Sequence, residues 1–459
     1  MSASWDWLDG FATASGPRYL RIVSAVEAAV ARGTLLPGER LPPQRVLAEH
    51  LGIDLTTVTR GYQECGKRGL TDPRGPQGTF VAPPKVEFSQ LIDLSMNIPP
   101  AAANVDLMEL LRRGLSQVLT RSSAPLLMTY HLGGGSAADW EAGRRWLRPM
   151  LGKLSQRPLL VCPGAQSALA ALIMTSTRPG DAIGCEPLAY TGLLLAGQSL
   201  GRSIAVVETD EDGMTPEGLR RAHRAHKLQV IYLNPTAQNP TAHTMPAARR
   251  RALARVVAEL GITVLEDDPY WLLTDDPPPP LATFAPEQTC YIATLSKCLS
   301  PGLRTAYLSL PSQVDAVAFL ASLRSISLMP SPLLISMVTQ WILDGTAQAL
   351  LHGVQEEARA RRAIARHALS GLRADRCDGV HLWHLLPKHW TAEAFVQAAR
   401  AEGVTVAPST AFAASSPVIS QAIRISLGAV DTRTQLTTAL RKLDRMLIQE
   451  SPYQSQVVV

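Results

Sequence analysis

The most restrictive feature of this chain is a rhythm that sets in near Ile92. Short, almost wholly apolar runs at 158–162, 182–185, 204–208, 229–233, 263–266, 291–294 and 305–310 alternate with stretches that are mostly of helix length. Runs that are apolar at successive positions, rather than at every second one, belong to strands buried on both faces, as in a largely parallel sheet covered by helices. Seven of them predict an α/β domain built on a mostly parallel seven-stranded sheet. After Pro330 the pattern turns mainly helical, and a last strand pair is expected at 403–406 and 422–426 before a closing helix, making a smaller α+β part. Open α/β sheets bind ligands beyond the carboxyl ends of their strands, so the polar residues just past each run are the first candidates for function.

At 459 residues the chain exceeds what one core serves, and its first 82 residues obey a different rule. Ile22, Val26, Ala29 and Val30 recur at helical spacing, and Gly33, Pro37-Gly38 and Pro42-Pro43 then break the chain. A short helix at about 44–50 ends at Gly52, Asp54 is placed to cap the next helix to about Arg68, and two short strands flank the turn Gly75–Gly78. Two helices joined by a tight turn have helix-turn-helix proportions, with the second helix in the major groove. Thr56, Thr57, Thr59 and Arg60 on that helix are candidates for base edges and phosphates, Arg45 for phosphate, and Arg74 for the wing. The expected division is 1–82 for this domain, a connector at 83–98, and the α/β domain at 99–459, its large part at about 126–325.

This N-terminal section resembles the winged helix of the GntR family. The resemblance rests on Pro37-Gly-Glu-Arg-Leu-Pro42, Arg45, Leu47-Ala-Glu-His-Leu-Gly52, Thr57-Val58, Tyr62, Gly69-Leu70 and Gly75-Pro-Gln-Gly-Thr-Phe-Val81. Gln44 stands where the family usually has serine. The resemblance implies a double-stranded DNA operator as partner. Residues 1–82 hold nine Lys/Arg against eight Asp/Glu. So small an excess neutralises few phosphates, and binding should need a dimer.

The strand ends carry a second chemistry. Pyridoxal 5′-phosphate (PLP) needs a lysine for its aldehyde, a carboxylate for its ring nitrogen, donors for its phenolic oxygen, and cationic and main-chain donors for its phosphate. Lys297 follows one apolar run closely, with Thr294 and Ser296 beside it and Arg304 seven residues on. Asp267 ends another run, with Tyr270 three residues later. Asn239 lies past a third, and Val161-Cys-Pro-Gly-Ala-Gln166 reads as strand, glycine turn and helix start, suited to phosphate at Ala165 and Gln166.

These residues resemble fold-type I aminotransferases, and together with the N-terminal section they resemble the MocR group of PLP-dependent regulators. The resemblance implies that Lys297 forms the Schiff base, Asp267 pairs with the ring nitrogen, and Asn239 and Tyr270 hold the phenolic oxygen. It further implies that Tyr190 stacks on the ring, that Ala165, Gln166, Ser296 and Arg304 bind phosphate, that Tyr130 reaches the phosphate of a neighbouring subunit in a homodimer, and that Arg424 grips an amino acid carboxylate. The implied function is transcriptional regulation by sensing an amine or amino acid, with a working aminotransferase carrying an accessory winged helix as the alternative.

Bulk properties agree with this reading. Charged residues make up 18% and hydrophobic residues 46%, a globular composition, and the net charge of +5 permits a polyanionic partner without requiring one. Six scattered cysteines without metal-ligand spacing read as free thiols of a reducing compartment. No metal site is expected. The acidic N-terminus lacks the pattern of a signal peptide, and no apolar stretch reaches the roughly 18 residues of a membrane span. The expected location is therefore cytoplasmic.

Overall fold

The computed structural model describes residues 5–8, 11, 16–82, 91–103, 105–415 and 420–448, and the chain divides into two compact units, Met1–Gln90 and Leu91–Val459.

In the first unit α1 (Arg18–Arg32), α2 (Gln44–Leu51) and α3 (Leu55–Lys67) precede a hairpin of β1 (Thr71–Pro73) and β2 (Thr79–Val81). The stripe read from the sequence is buried: Ile22, Val26 and Ala29 of α1 pack with Leu47, Val58, Tyr62 and Val81. Gly52 turns the chain between α2 and α3 at φ 61°, a left-handed conformation that favours glycine. Asp54 caps α3, its Oδ1 accepting from the amide of Thr57 at 2.9 Å. β1 and β2 pair antiparallel with Thr71 opposite Val81, forming the expected wing.

All seven apolar runs of the second unit are strands of one sheet: β3 (Leu159–Cys162), β4 (Ala182–Cys185), β5 (Ser203–Val206), β6 (Val230–Leu233), β7 (Thr263–Asp267), β8 (Thr289–Thr294) and β9 (Ala306–Ser309). Their order is β3-β9-β8-β7-β6-β4-β5, and β9 alone runs antiparallel to its neighbours. Strands such as β6 and β8 are buried at every position, which is why alternation is missing from the sequence.

The smaller part differs from expectation in two ways. Residues 403–406 and 422–426 do not pair with each other. Val404–Thr405 pairs parallel with Ile92–Asp93, whereas β11 (Ala422–Ser426) pairs antiparallel with β10 (His381–Leu385) and with Ala407–Pro408. β10 escapes sequence reading because His381, Trp383 and His384 interrupt its apolar run, yet all three are buried. The second correction concerns the connector. Its first part, 83–90, lies outside the described residues, but 91–98 is integral to the second unit: Leu94 is fully buried among Leu382, Phe395, Ile423 and Leu440. Ile92 and Leu94 are held there by main-chain bonds to Gly403 (3.0 Å) and Thr405 (2.8 Å).

All six cysteines are free and buried. Among the described residues no helix is long and apolar enough to cross a membrane.

Candidate functional site

The carboxyl ends of β6, β7 and β8 lie side by side, and strand alternation decides which way their polar groups face. Glu266 and Asp268 turn to one side. Glu266 accepts from the amides of Leu281 (2.7 Å) and Ala282 (2.8 Å), and Asp268 accepts from the Tyr291 hydroxyl (3.3 Å). Burial pushes both carboxyls above the usual range, offset by the buried Arg250. Asp267, between them, faces the other way. Its Oδ2 accepts from the Tyr232 hydroxyl at 2.9 Å, while its buried Oδ1 has no hydrogen-bond partner among the described residues. Burial raises the Asp267 carboxyl to about 6, against the opposing effects of Tyr232 and Lys297.

Lys297 stands three residues past β8, its Nζ donating to the main-chain oxygen of Asn97 at 2.5 Å. Burial, reinforced by the positive charge of Arg424, lowers the amine to about 8, with Asp267 opposing. Asn239 is braced from behind: Asn234 accepts from its amide (2.7 Å) and donates to the Asp267 main-chain oxygen (2.6 Å). The Asn239 Oδ1 accepts from Nη1 of Arg424 at 2.6 Å. Arg424 itself, on β11, is buried, lies 4.8 Å from the Phe412 ring centroid, and donates through Nη2 to the main-chain oxygen of Ser95. The Tyr270 hydroxyl accepts from Nδ2 of Asn97 at 3.0 Å, which leaves its own proton for another acceptor. Burial raises Tyr270 to about 12, and the neighbouring ring of His381 is held at about 3, hence neutral.

At the end of β3, Gly164 (φ 94°) leads into the helix Ala165–Ser176, whose first amides are free to face an anion. A Cβ at Gly164 would sit 2.8 Å from Nη2 of Arg304, and it is the positive φ that favours glycine at this turn. Arg304 is exposed, holds φ 45°, and donates to the Pro163 carbonyl at 3.3 Å. Ser296 accepts from the Thr294 hydroxyl at 3.1 Å. Gln166 donates to the Gly192 carbonyl at 2.9 Å, and its buried Oε1 lacks a partner among the described residues. A Cβ at Gly192 would fall 2.2 Å from that Oε1 and 2.3 Å from the half-buried Tyr190 ring, so the three form one tight corner.

The donor set fits PLP. An orphaned, buried carboxylate oxygen suits a ring N–H, a free tyrosine proton suits a phenolic oxygen, and a helix start with an exposed guanidinium suits a phosphate. Tyr130 stands apart: it is 71% exposed, and no hydrogen bond joins it to this cluster among the described residues.

Several groups escape sequence reading. Ser95 and Asn97 lie in what reads as connector. His381 sits in β10, the strand hidden by its polar and aromatic residues. Tyr232 is within reach of such a reading, because it lies two residues before Asn234 and so on the same face of β6 and its extension.

On the first unit, Arg45, Thr56 and Arg60 are exposed, but several side chains expected at DNA are already engaged. The Thr56 and Thr57 hydroxyls bond Asp54, and the Thr59 hydroxyl donates to Gln44 at 2.7 Å, so Gln44 is tied to α3. Arg60 stacks on Tyr19 (4.1 Å), and Arg74 pairs with Asp72 (3.0 Å) over the Phe80 ring.

Comparison with known proteins agrees with both units. Residues 91–443 match the family of class I and II aminotransferases, and residues 18–81 match the GntR family of bacterial regulatory proteins. The chain is 29% identical over 451 residues to the HTH-type transcriptional regulator YdeF of Bacillus subtilis (strain 168), covering 96% of each. It is 30% identical over 429 residues to the vitamin B6 salvage pathway transcriptional repressor PtsJ of Salmonella typhimurium (strain LT2), covering 89% of this chain and 94% of that one. In fold it is similar to the kynurenine aminotransferase of Pyrococcus horikoshii, with a TM-score of 0.71 at 22% identity over 81% of this chain and 92% of the other. It is likewise similar to LysN, the α-aminoadipate aminotransferase of Thermus thermophilus, with a TM-score of 0.69 at 24% identity over 78% and 92%. The cofactor of such a domain is PLP. The chain therefore belongs to the MocR-type transcriptional regulators, in which a GntR-family winged helix is joined to a PLP-dependent domain of the class I and II aminotransferase family.

Proposed function

We propose that this regulator senses an amine or amino acid at Lys297 and passes the result to an operator bound by its winged helix. What carries the reading is the presence, in one chain, of a half-buried lysine amine within electrostatic reach of a buried aspartate with one oxygen unpartnered among the described residues, and of a domain that amine chemistry does not need.

PLP, when bound, supplies an aldehyde that amines compete for and a ring that withdraws electrons. Lys297 offers the resident amine, and its lowered affinity for protons keeps a useful neutral fraction near neutral pH. Asp267 holds the proton at the ring nitrogen through the oxygen that has no partner among the described residues. Asn239 and Tyr270 hold the phenolic oxygen, Tyr190 covers a ring face, and Ala165, Gln166, Ser296 and Arg304 hold the phosphate, joined by Tyr130 of a second copy. Arg424 takes an α-carboxylate. The protein works as a cytoplasmic homodimer. Sensing requires the effector to bind one conformation more tightly than the other, because equal affinity shifts nothing.

A second reading is that PLP itself is the signal, and the name of the relative PtsJ, a repressor of vitamin B6 salvage, favours it. One experiment separates the two. Amines and amino acids are added to the purified holoprotein while its absorbance and its retention on operator DNA are followed, with apoprotein and added PLP as the parallel arm. A ligand that alters spectrum and retention together supports amine sensing, and Lys297→Ala should lose the borohydride-fixed adduct. Retention that follows PLP alone, and no amine, overturns it.

A further inference from the structure

The segment 91–98 carries an arrangement that the site's assigned roles do not use. Its main chain is fastened to the smaller part of the domain at Ile92 and Leu94, and the Leu94 carbonyl accepts from the amide of Ser426 at 2.8 Å. At its far end the backbone lies in direct contact with Gly428, where a Cβ would come 1.9 Å from the Ile98 carbonyl oxygen. Between these anchors, two main-chain oxygens turn into the site. That of Ser95 is held by Arg424 and that of Asn97 by Lys297, while the Asn97 amide holds Tyr270. Met96, between them, is 59% exposed. The two cations that the proposed function commits to ligands are thus also the two that grip this segment.

We propose that the main-chain oxygen of Asn97 is the seat of the Lys297 amine whenever that amine is not joined to PLP, and that the segment 91–98 thereby reports what occupies the site. The inference rests on the proposed function and adds its means of regulation. A lysine nitrogen double-bonded to the cofactor's carbon would keep at most one of the three N–H groups of the free ammonium, and the phenolic oxygen would compete for that one, so its hold on Asn97 would weaken. An amine that displaces it returns a charged donor to a buried acceptor, a bond of the stronger class. Segment 91–98 is then held more firmly when an amine is bound. It runs directly into residues 83–90, the path of the chain to the DNA-binding unit.

Hydroxylamine tests this without knowledge of the effector. The C=N bond between the PLP carbon and Lys297 breaks, a C=N bond to the hydroxylamine nitrogen forms, and the two hydrogens of that nitrogen pass to lysine. The reagent has no carboxylate and leaves the Arg424–Ser95 contact alone. In full-length holoprotein, hydrogen exchange at the amides of Ile92 and Leu94 should slow by about tenfold once the absorbance shows that lysine has been released. In Lys297→Met loaded with PLP, which keeps the volume of the stem but has no amine to return, hydroxylamine should leave the exchange unchanged. Release of lysine without slower exchange, or equal slowing in Lys297→Met, overturns the inference and leaves the proposed function standing. No spectral change in the wild-type holoprotein removes both.

Discussion

At the scale of single residues, the chemistry of the site follows from burial acting on a few ionisable groups. Capture of the PLP aldehyde needs an uncharged amine, and burial, helped by Arg424, brings Lys297 down to about 8. The rate at which apoprotein gains its chromophore should therefore rise with pH to a half-maximum near pH 8. Arg424→Ala removes a positive charge and should move that midpoint upward; a midpoint that stays put would exclude the electrostatic coupling. Steric demands are as local. Gly192→Ala would drive a methyl into Gln166 and Tyr190 together, so PLP should wash out of the variant at least about tenfold faster. Its circular dichroism should stay unchanged, since Gly192 sits in a helix that accepts alanine. Lys297, Asp267, Asn239, Tyr270 and Arg304 stand out in the sequence as candidates because each ends or follows a recognisable apolar strand. Asn97 is not, because it bonds Tyr270 across 173 positions of chain.

At the scale of elements, local signals locate most boundaries and misjudge partners. α3 begins where Asp54 is expected to cap it, and its carboxyl is held well below the usual range by the hydroxyls of Thr56 and Thr57 and by the Thr57 amide. A carboxyl shifted down on folding stabilises the helix above the unfolded value, about pH 3.9, and loses that effect as pH falls through its folded value. Asp54→Ala should accordingly speed hydrogen exchange in the first turn of α3 and weaken operator retention, with the cofactor absorbance unaltered. Loss of absorbance in that variant would mean the defect is global. The seven strands of the large sheet are each visible as unbroken apolar runs, but β10 is hidden by two histidines and a tryptophan that only tertiary packing makes acceptable inside. Val404–Thr405 is visible, though its partner is not, since two residues of edge strand pair with whatever backbone is brought to them.

At the scale of the whole molecule, the exposed Tyr130 bears on assembly. If it completes the site of a second copy, neither Lys297→Ala nor Tyr130→Phe alone should hold PLP as wild type does. Mixed dimers of the two should regain tight retention at the one site that draws Lys297 and Tyr130 from different, unmodified positions. Failure of complementation in dimers shown to be mixed would assign Tyr130 another role. The sequence by itself determined the two domain types, the sheet and the cofactor, because these depend on periodicity and on short motifs whose residues act close to where they stand in the chain. Tertiary structure alone decided that 91–98 closes over the site instead of spanning between domains, and that the Thr56, Thr57 and Thr59 hydroxyls serve their own domain. Both outcomes turn on hydrogen bonds to groups brought near by folding, and a donor or acceptor carries no mark in the sequence of which distant partner will satisfy it.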